Sequence, residues 1–150
     1  MDRFATAGTT LLPRWNSPCP ELGAEAVDGL STDWTSDYNW IRPPLELLTD
    51  VATKLERSKA HGVVVAPFWP SEHWFSALHR LSSRVTVVPH ARHLVCQHTR
   101  YVFGVDAQGD WPLAFFKLDP DRATTRLPPV EWTAARQLVG DMGPTPRRTL

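Results

Sequence analysis

Val63-Val64-Val65-Ala66-Pro67-Phe68-Trp69-Pro70-Ser71 is the stretch that decides the fold class. An unbroken run of small apolar residues has no polar face, so it reads as a strand buried on both sides of a parallel sheet. Pro67 and Pro70 stop it. Upstream, residues 45–60 have helical spacing. Leu45, Leu48, Ala52 and Leu55 share one face, while Lys54, Arg57 and Lys59 are free to sit in solvent. Pro43 and Pro44 suit the start of that helix, and Gly62 is its expected stop. Residues 37–41 are a short aromatic strand. Downstream, Ser71 is placed to cap a helix running to about Leu81, and residues 85–88 form the next strand. Strand, helix, strand, helix, strand predicts a layered α/β fold.

The rest of the chain is less regular. Residues 100–105 and 112–118 flank the turn-rich Asp106-Ala107-Gln108-Gly109-Asp110, which predicts a C-terminal β-hairpin. Residues 131–139 suit a short helix. Residues 1–119 are therefore expected to form the α/β domain, and residues 120–150 a Pro/Arg-rich, partly disordered tail.

Composition narrows the function. With 150 residues and 42% hydrophobic content the chain has the size and core of one domain. Sixteen basic residues balance sixteen acidic ones, so any nucleic-acid contact must come from a local patch. Cys19 and Cys96 lie outside any CxxC pattern and read as free thiols in a reducing, intracellular compartment, cytoplasmic or nuclear. No apolar run approaches the roughly 20 residues that cross a bilayer, so no membrane partner is expected. The chain opens directly on Asp2-Arg3-Phe4-Ala5. The expectation is a sheet truncated at its N-terminal strand.

Four groups of residues carry candidate chemistry. Asp2, Phe4 and Gly8 combine a carboxylate with a small-residue loop, which on these residues alone reads first as a polar N-terminal arm and otherwise suits a nucleotide-like cofactor. Trp40-Ile41-Arg42-Pro43-Pro44-Leu45 places a rigid Pro-Pro turn between strand and helix. Phe68-Trp69 with Trp74-Phe75 follows the Val run, so its rings stack on a base or pack over the sheet. His90, His93, Cys96 and His98 hold metal-type donors, but their spacing matches no zinc finger, and a strand would point alternate donors to opposite faces. They read as loop residues, with no metal expected. There is no G-x-S-x-G, P-loop or H-E-x-x-H.

Taken in order, these pieces resemble a known pattern: Asp2-Arg3-Phe4-Ala5, Leu12-Pro13-Arg14-Trp15-Asn16-Ser17, Ala26-Val27-Asp28-Gly29-Leu30 with Trp34, Trp40-Ile41-Arg42-Pro43-Pro44, and Val64-Val65-Ala66-Pro67-Phe68-Trp69-Pro70 with Trp74-Phe75. The order is similar to the segment that follows the ribonuclease H region in polyproteins of DIRS-like retroelements. It also resembles phage-type Dam DNA adenine methyltransferases. The resemblance implies an incomplete Rossmann-like methyltransferase sheet with flanking helices. It puts Asp2, Phe4, Gly8 and Asp28 at an S-adenosylmethionine site, and Arg42, Pro43, Pro44 and Leu45 on the catalytic Asn/Asp-Pro-Pro-aromatic motif.

That motif is degenerate here. The family's Asn or Asp accepts a hydrogen bond from the target amino group, whereas Arg42 only donates. The family's aromatic residue stacks on a flipped base, and Leu45 has no π-face. Asn39, three residues upstream, is the remaining acceptor. The expectation is a non-catalytic module from a reverse transcriptase polyprotein, touching nucleic acid or the rest of that polyprotein through Arg42, Trp40, Trp69 and Trp74, with no cofactor. A working adenine methyltransferase using S-adenosylmethionine and a ligand-free interaction module are the alternatives.

Overall fold

The computed structural model describes residues 1–89, 105–106, 109–110, 112–122 and 126–133. In chain order these form β1 (Asn16–Ser17), β2 (Ala26–Val27), β3 (Tyr38–Ile41), α1 (Leu48–Arg57), β4 (His61–Pro67), α2 (His73–Arg80), β5 (Ser82–Val88), β6 (Val105–Asp106), β7 (Gly109–Asp110), β8 (Leu113–Leu118) and β9 (Val130–Trp132). The predicted α/β layering is present as a mixed five-stranded sheet with the spatial order β3-β4-β8-β5-β9. β3 is parallel to β4, and β9 is parallel to β5. β8 runs antiparallel between β4 and β5.

The sheet continues past β3 through the first three residues. Trp40 N–H donates to the Met1 carbonyl at 2.9 Å, and Arg3 N–H donates to the Trp40 carbonyl at 3.0 Å. On the other side, Asp2 N–H donates to Arg14 O at 2.9 Å and Asn16 N–H to Asp2 O at 2.8 Å. Asp2 thus forms parallel bridges to both Trp15 and Trp40. β1 then pairs in parallel with β2. Asp2 therefore fills the strand position that was expected to be missing.

Helix α1 forms where the periodicity placed it, on a corrected face. Leu48, Val51, Ala52 and Leu55 are buried, whereas Leu45 is 37% exposed in a single 3₁₀ turn, Leu45–Leu47. Ser58, not Gly62, ends the helix: its N–H and hydroxyl both donate to Lys54 O, at 3.0 and 2.8 Å. Gly62 lies inside β4 with φ 152°, and a Cβ there would stand 2.1 Å from Asn39 O. Glycine is required because β3 approaches too closely for any side chain. Lys54 is not simply solvated, since its ammonium lies 5.1 Å from the Trp34 ring centroid. Helix α2 begins at His73 with Glu72 at the cap position and no side-chain cap bond, so Ser71 does not cap it.

Two C-terminal expectations change. Residues 113–118 do not pair back across a hairpin; they insert between β4 and β5. Only the two-residue ladder Val105–Asp106 with Gly109–Asp110 remains at the turn, and residues 100–104 lie outside the described residues. Glu131 belongs to a strand rather than a helix, so the sheet extends beyond residue 119, and residues 134–139 of the expected helix lie outside the described residues.

The two helices cover one face of the sheet. Trp34, Ile41, Val64, Val85, Ala114 and Phe116 are fully buried there against α1 and α2. On the other face Trp40, Val63 and Phe115 are half-buried around Val65 and Leu113. Among the described residues no helix is long and apolar enough to cross a membrane.

Candidate functional site

In a parallel array every strand ends on the same side, and α/β proteins bind ligands along that carboxyl edge. Among the chain segments that leave the sheet there are the loop after Asp2, Asp28 after β2, Arg42 after β3, and Phe68 after β4. The edge thus collects most of the residues singled out in the sequence, although each is used differently from what the motif requires.

Asp2 is buried, flanked in register by Trp15 and Trp40. One carboxylate oxygen accepts from Phe4 N–H at 3.4 Å and the other from Leu11 N–H at 3.2 Å. Both oxygens therefore close the loop that follows. Burial raises its pKa above the ordinary Asp value, with the two backbone N–H groups and the Arg42 charge pulling the other way. Phe4 points into the core, edge-on to Trp34 at 6.1 Å. Gly8 is exposed, and a Cβ there would meet only Thr6 Oγ1 at 3.9 Å, so the loop imposes no glycine. Asp28 is exposed with φ 61°, and its carboxylate caps the Gly29–Ser31 turn by accepting from Leu30 N–H at 3.1 Å.

The Pro-Pro loop sits beside Asp2. Pro43 is buried, Pro44 and Leu45 are exposed, and Arg42 is half-buried. Arg42 has no hydrogen bond or ion pair among the described residues; its electrostatic neighbour is Asp2. Asn39 is no substitute acceptor. Its amide nitrogen lies within hydrogen-bond distance of Trp34 O, Asp37 O and His61 O, and its Oδ1 accepts from Arg3.

The three tryptophans separate. Trp40 lies on the face opposite α1 and α2, tilted against Phe115 at 6.5 Å, with an indole N–H that is buried and has no partner among the described residues. Trp74 is buried in the core on α2, only 6% exposed. Trp69 is half-buried beside it, with ring centroids 6.5 Å apart.

Arg3 is what sequence reasoning missed. It is 2% exposed, and its guanidinium donates to Asn39 Oδ1 (2.6 Å), Asn16 Oδ1 (3.1 Å), Thr32 Oγ1 (3.3 Å), Asp33 O (3.0 Å) and Asp37 Oδ2 (3.1 Å). Asp37 also accepts from Arg14 at 2.7 Å, and Arg14 grips Glu25. Hydrogen bonding to Arg14 holds both the Asp37 and Glu25 carboxyls below their ordinary range. Gly29 belongs to the same knot, because a Cβ there would meet the Arg3 carbonyl at 2.0 Å.

At the opposite edge, His61, Asp119 and Asp121 bring potential metal-binding atoms within 4.8 Å of one another. His61 Nε2 and Asp121 Oδ2, 3.0 Å apart, already satisfy each other in solvent. His90, His93, Cys96 and His98 lie outside the described residues. The sequence matches no protein-family model, and no curated protein or solved structure matches the chain.

Proposed function

We propose that this chain is a non-catalytic, methyltransferase-like module of retroelement polyprotein origin that holds a nucleic-acid phosphate through Arg42. The observation that carries the reading is Arg42 itself: a half-buried arginine just after β3 with no hydrogen bond or ion pair among the described residues. A guanidinium without a protein partner is a ready phosphate contact. The same charge cannot accept the amino proton that adenine methylation requires.

Strand order supports the methyltransferase likeness. Numbering the parallel strands along the chain, with residues 1–3 first, gives the spatial order 3-2-1-4-5-6 once the antiparallel β8 is set aside, with β9 added as a seventh strand outside the sixth. That is the doubly wound order, and its switch point falls between the first and fourth strands, where ligands bind. Asp2 and Arg42 stand on those two strands. Loss of cofactor binding is supported by the acids: Asp2 and Asp28 both spend their carboxylates on nearby backbone N–H groups.

The test is oligonucleotide binding by fluorescence anisotropy between 50 and 200 mM salt. Arg42→Ala should weaken binding and reduce the log–log salt slope by about 1. Equal affinity and slope for the two proteins would remove the phosphate contact. Calorimetry with S-adenosylmethionine should give no binding heat. A saturable heat, or labelled methyl transfer to DNA, would favour a working adenine methyltransferase instead. Arg42→Asn with Leu45→Tyr should likewise leave the chain inactive. A reverse transcriptase reading frame in the same transcript, upstream of Met1, tests the origin.

A further inference from the structure

We infer that Trp132 is a stacking platform for an unpaired base of the strand whose phosphate Arg42 holds, which makes the ligand single-stranded; the inference rests on the phosphate reading above. Trp132 pairs with Val87, and that row continues through Ala114 to Ala66. Those three neighbours are fully buried, whereas Trp132 is 56% exposed. The indole is uncovered but not loose. Phe68, leaving the carboxyl end of β4, meets it edge-on with centroids 5.0 Å apart. Phe68 is held by Phe75 at 5.5 Å, and Phe75 by Phe116 at 5.1 Å, so a chain of edge-to-face rings ties the platform to the core.

Position and charge point to the same ligand as Arg42. In the β3–β4 register Arg42 lies one residue beyond the Ile41–Val64 pair, and Trp132 is level with Ala66, so both stand at the carboxyl end of the parallel strands; Trp132 shares the helix-covered face with Ala66 and Val87, Arg42 follows a residue of that face by one, and the ligand crosses the end of the sheet between them. Four strand spacings separate them, roughly 19 Å, a reach that a short extended strand spans. The adjacent acid does not oppose this. Glu131 is bound to Arg84 at 2.8 Å, so its charge is compensated. A duplex keeps its bases stacked on one another and offers only groove edges. An aromatic platform takes base faces, and those are free only in unpaired nucleotides.

The experiment compares a thymidine oligonucleotide, the same length carrying abasic sites, and a duplex, all at one salt concentration with the full chain. Wild type should bind the thymidine strand about five- to a hundredfold more tightly than the abasic strand or the duplex. Trp132→Ala should lose that advantage without changing the salt slope, and Trp132→Phe should keep most of it. Equal wild-type affinity for all three ligands overturns the stacking inference, using an unaltered protein. So does a Trp132→Ala variant that binds the thymidine strand as wild type does. If Arg42→Ala still weakens binding in either case, the phosphate contact stands and only stacking falls. Absence of binding to every oligonucleotide by wild type sinks both.

Discussion

Arg3→Met removes a guanidinium from the interior while keeping an apolar side chain of comparable reach. Five acceptors lose their donor, but not equally. Asp37 keeps Arg14 at 2.7 Å, and the Thr32 hydroxyl keeps its own bond to Gly29 O at 2.7 Å. Asn39 Oδ1 is left with nothing, on a residue that is fully buried, and Asn16 Oδ1 keeps only a 3.4 Å contact to Thr32. A stranded buried acceptor costs ~1–3 kcal/mol. Breaking a buried ion pair costs ~3–5 kcal/mol, and Arg14 holds this one to the low end. The sum points to a loss of about 4 kcal/mol, a large share of the ~5–15 kcal/mol a domain has in total. Arg3→Lys keeps the charge but offers three donors on one atom instead of a five-donor fork, so it should lose about 2 kcal/mol. Urea unfolding followed by tryptophan fluorescence measures both, with the slope m checking that the unfolded state is unchanged. A Met variant within about 1 kcal/mol of wild type, or a Lys variant as unstable as Met, would refute the view that directed bonds from Arg3 hold these loops.

Two further outcomes complete those stated for Arg42 and Trp132. The Asp37 carboxyl is held below its ordinary value of 3.8, first by its hydrogen bond to Arg14 and then, against the effect of burial, by the charges of Arg14 and Arg3. A depressed folded-state pKa contributes stability that is complete above the unfolded value and is lost as pH falls through the folded one. The stability gap between wild type and Asp37→Asn should therefore be widest near pH 7 and close below about pH 4; a gap independent of pH between 3 and 7 would contradict the pairing. Gly62→Ala places a Cβ 2.1 Å from the Asn39 carbonyl at φ 152°, and should cost about 3 kcal/mol, or about 6–12 °C in Tm, whereas Gly8→Ala should change stability by less than about 0.5 kcal/mol. Thermal melts of the two variants would count against the close β3–β4 approach if both fell within about 2 °C of wild type.

What was legible in the sequence was local. The Val63–Val65 run, the α1 periodicity and the alternation of elements from residue 37 to 88 each depend on near neighbours in the chain, and each is present. Pairing partners were not legible. The turn signal at residues 106–110 correctly marks a reversal, yet whether the following strand pairs back or enters the sheet depends on the gap between β4 and β5. Glu131 and Trp132 have no strand-like alternation of their own and become a strand by pairing with Thr86 and Val87. At the site, Arg42, Pro43 and Pro44 stand where the strand–helix boundary put them. For Trp74, packing is the outcome of the two readings that the aromatic run allowed, because helical phase turns it inward on α2. Arg3 left no sequence signal, since its acceptors at positions 16, 32, 33, 37 and 39 come together only once four segments have folded.

Arg3 and Asp2 also explain how so short a segment can occupy the middle of a sheet. Successive residues of a strand face opposite ways, so both charges are buried, one on each face. Neither is neutralised by the other. Asp2 is satisfied by the backbone of its own loop, and Arg3 by side chains and a carbonyl from its neighbours. The first strand position is therefore held by directed hydrogen bonds, where β4 and β5 elsewhere in the sheet are held by apolar burial. Arg3 donates from its backbone to Trp40 O and from its side chain to Asn39, both on the strand that ends in Arg42. The position of the unpaired cation thus depends on a residue that no ligand at the edge would touch. A substitution at Arg3 mild enough to leave the chain folded should move Arg42 relative to Asp2, and weaken oligonucleotide binding while leaving the number of charges at that edge unchanged.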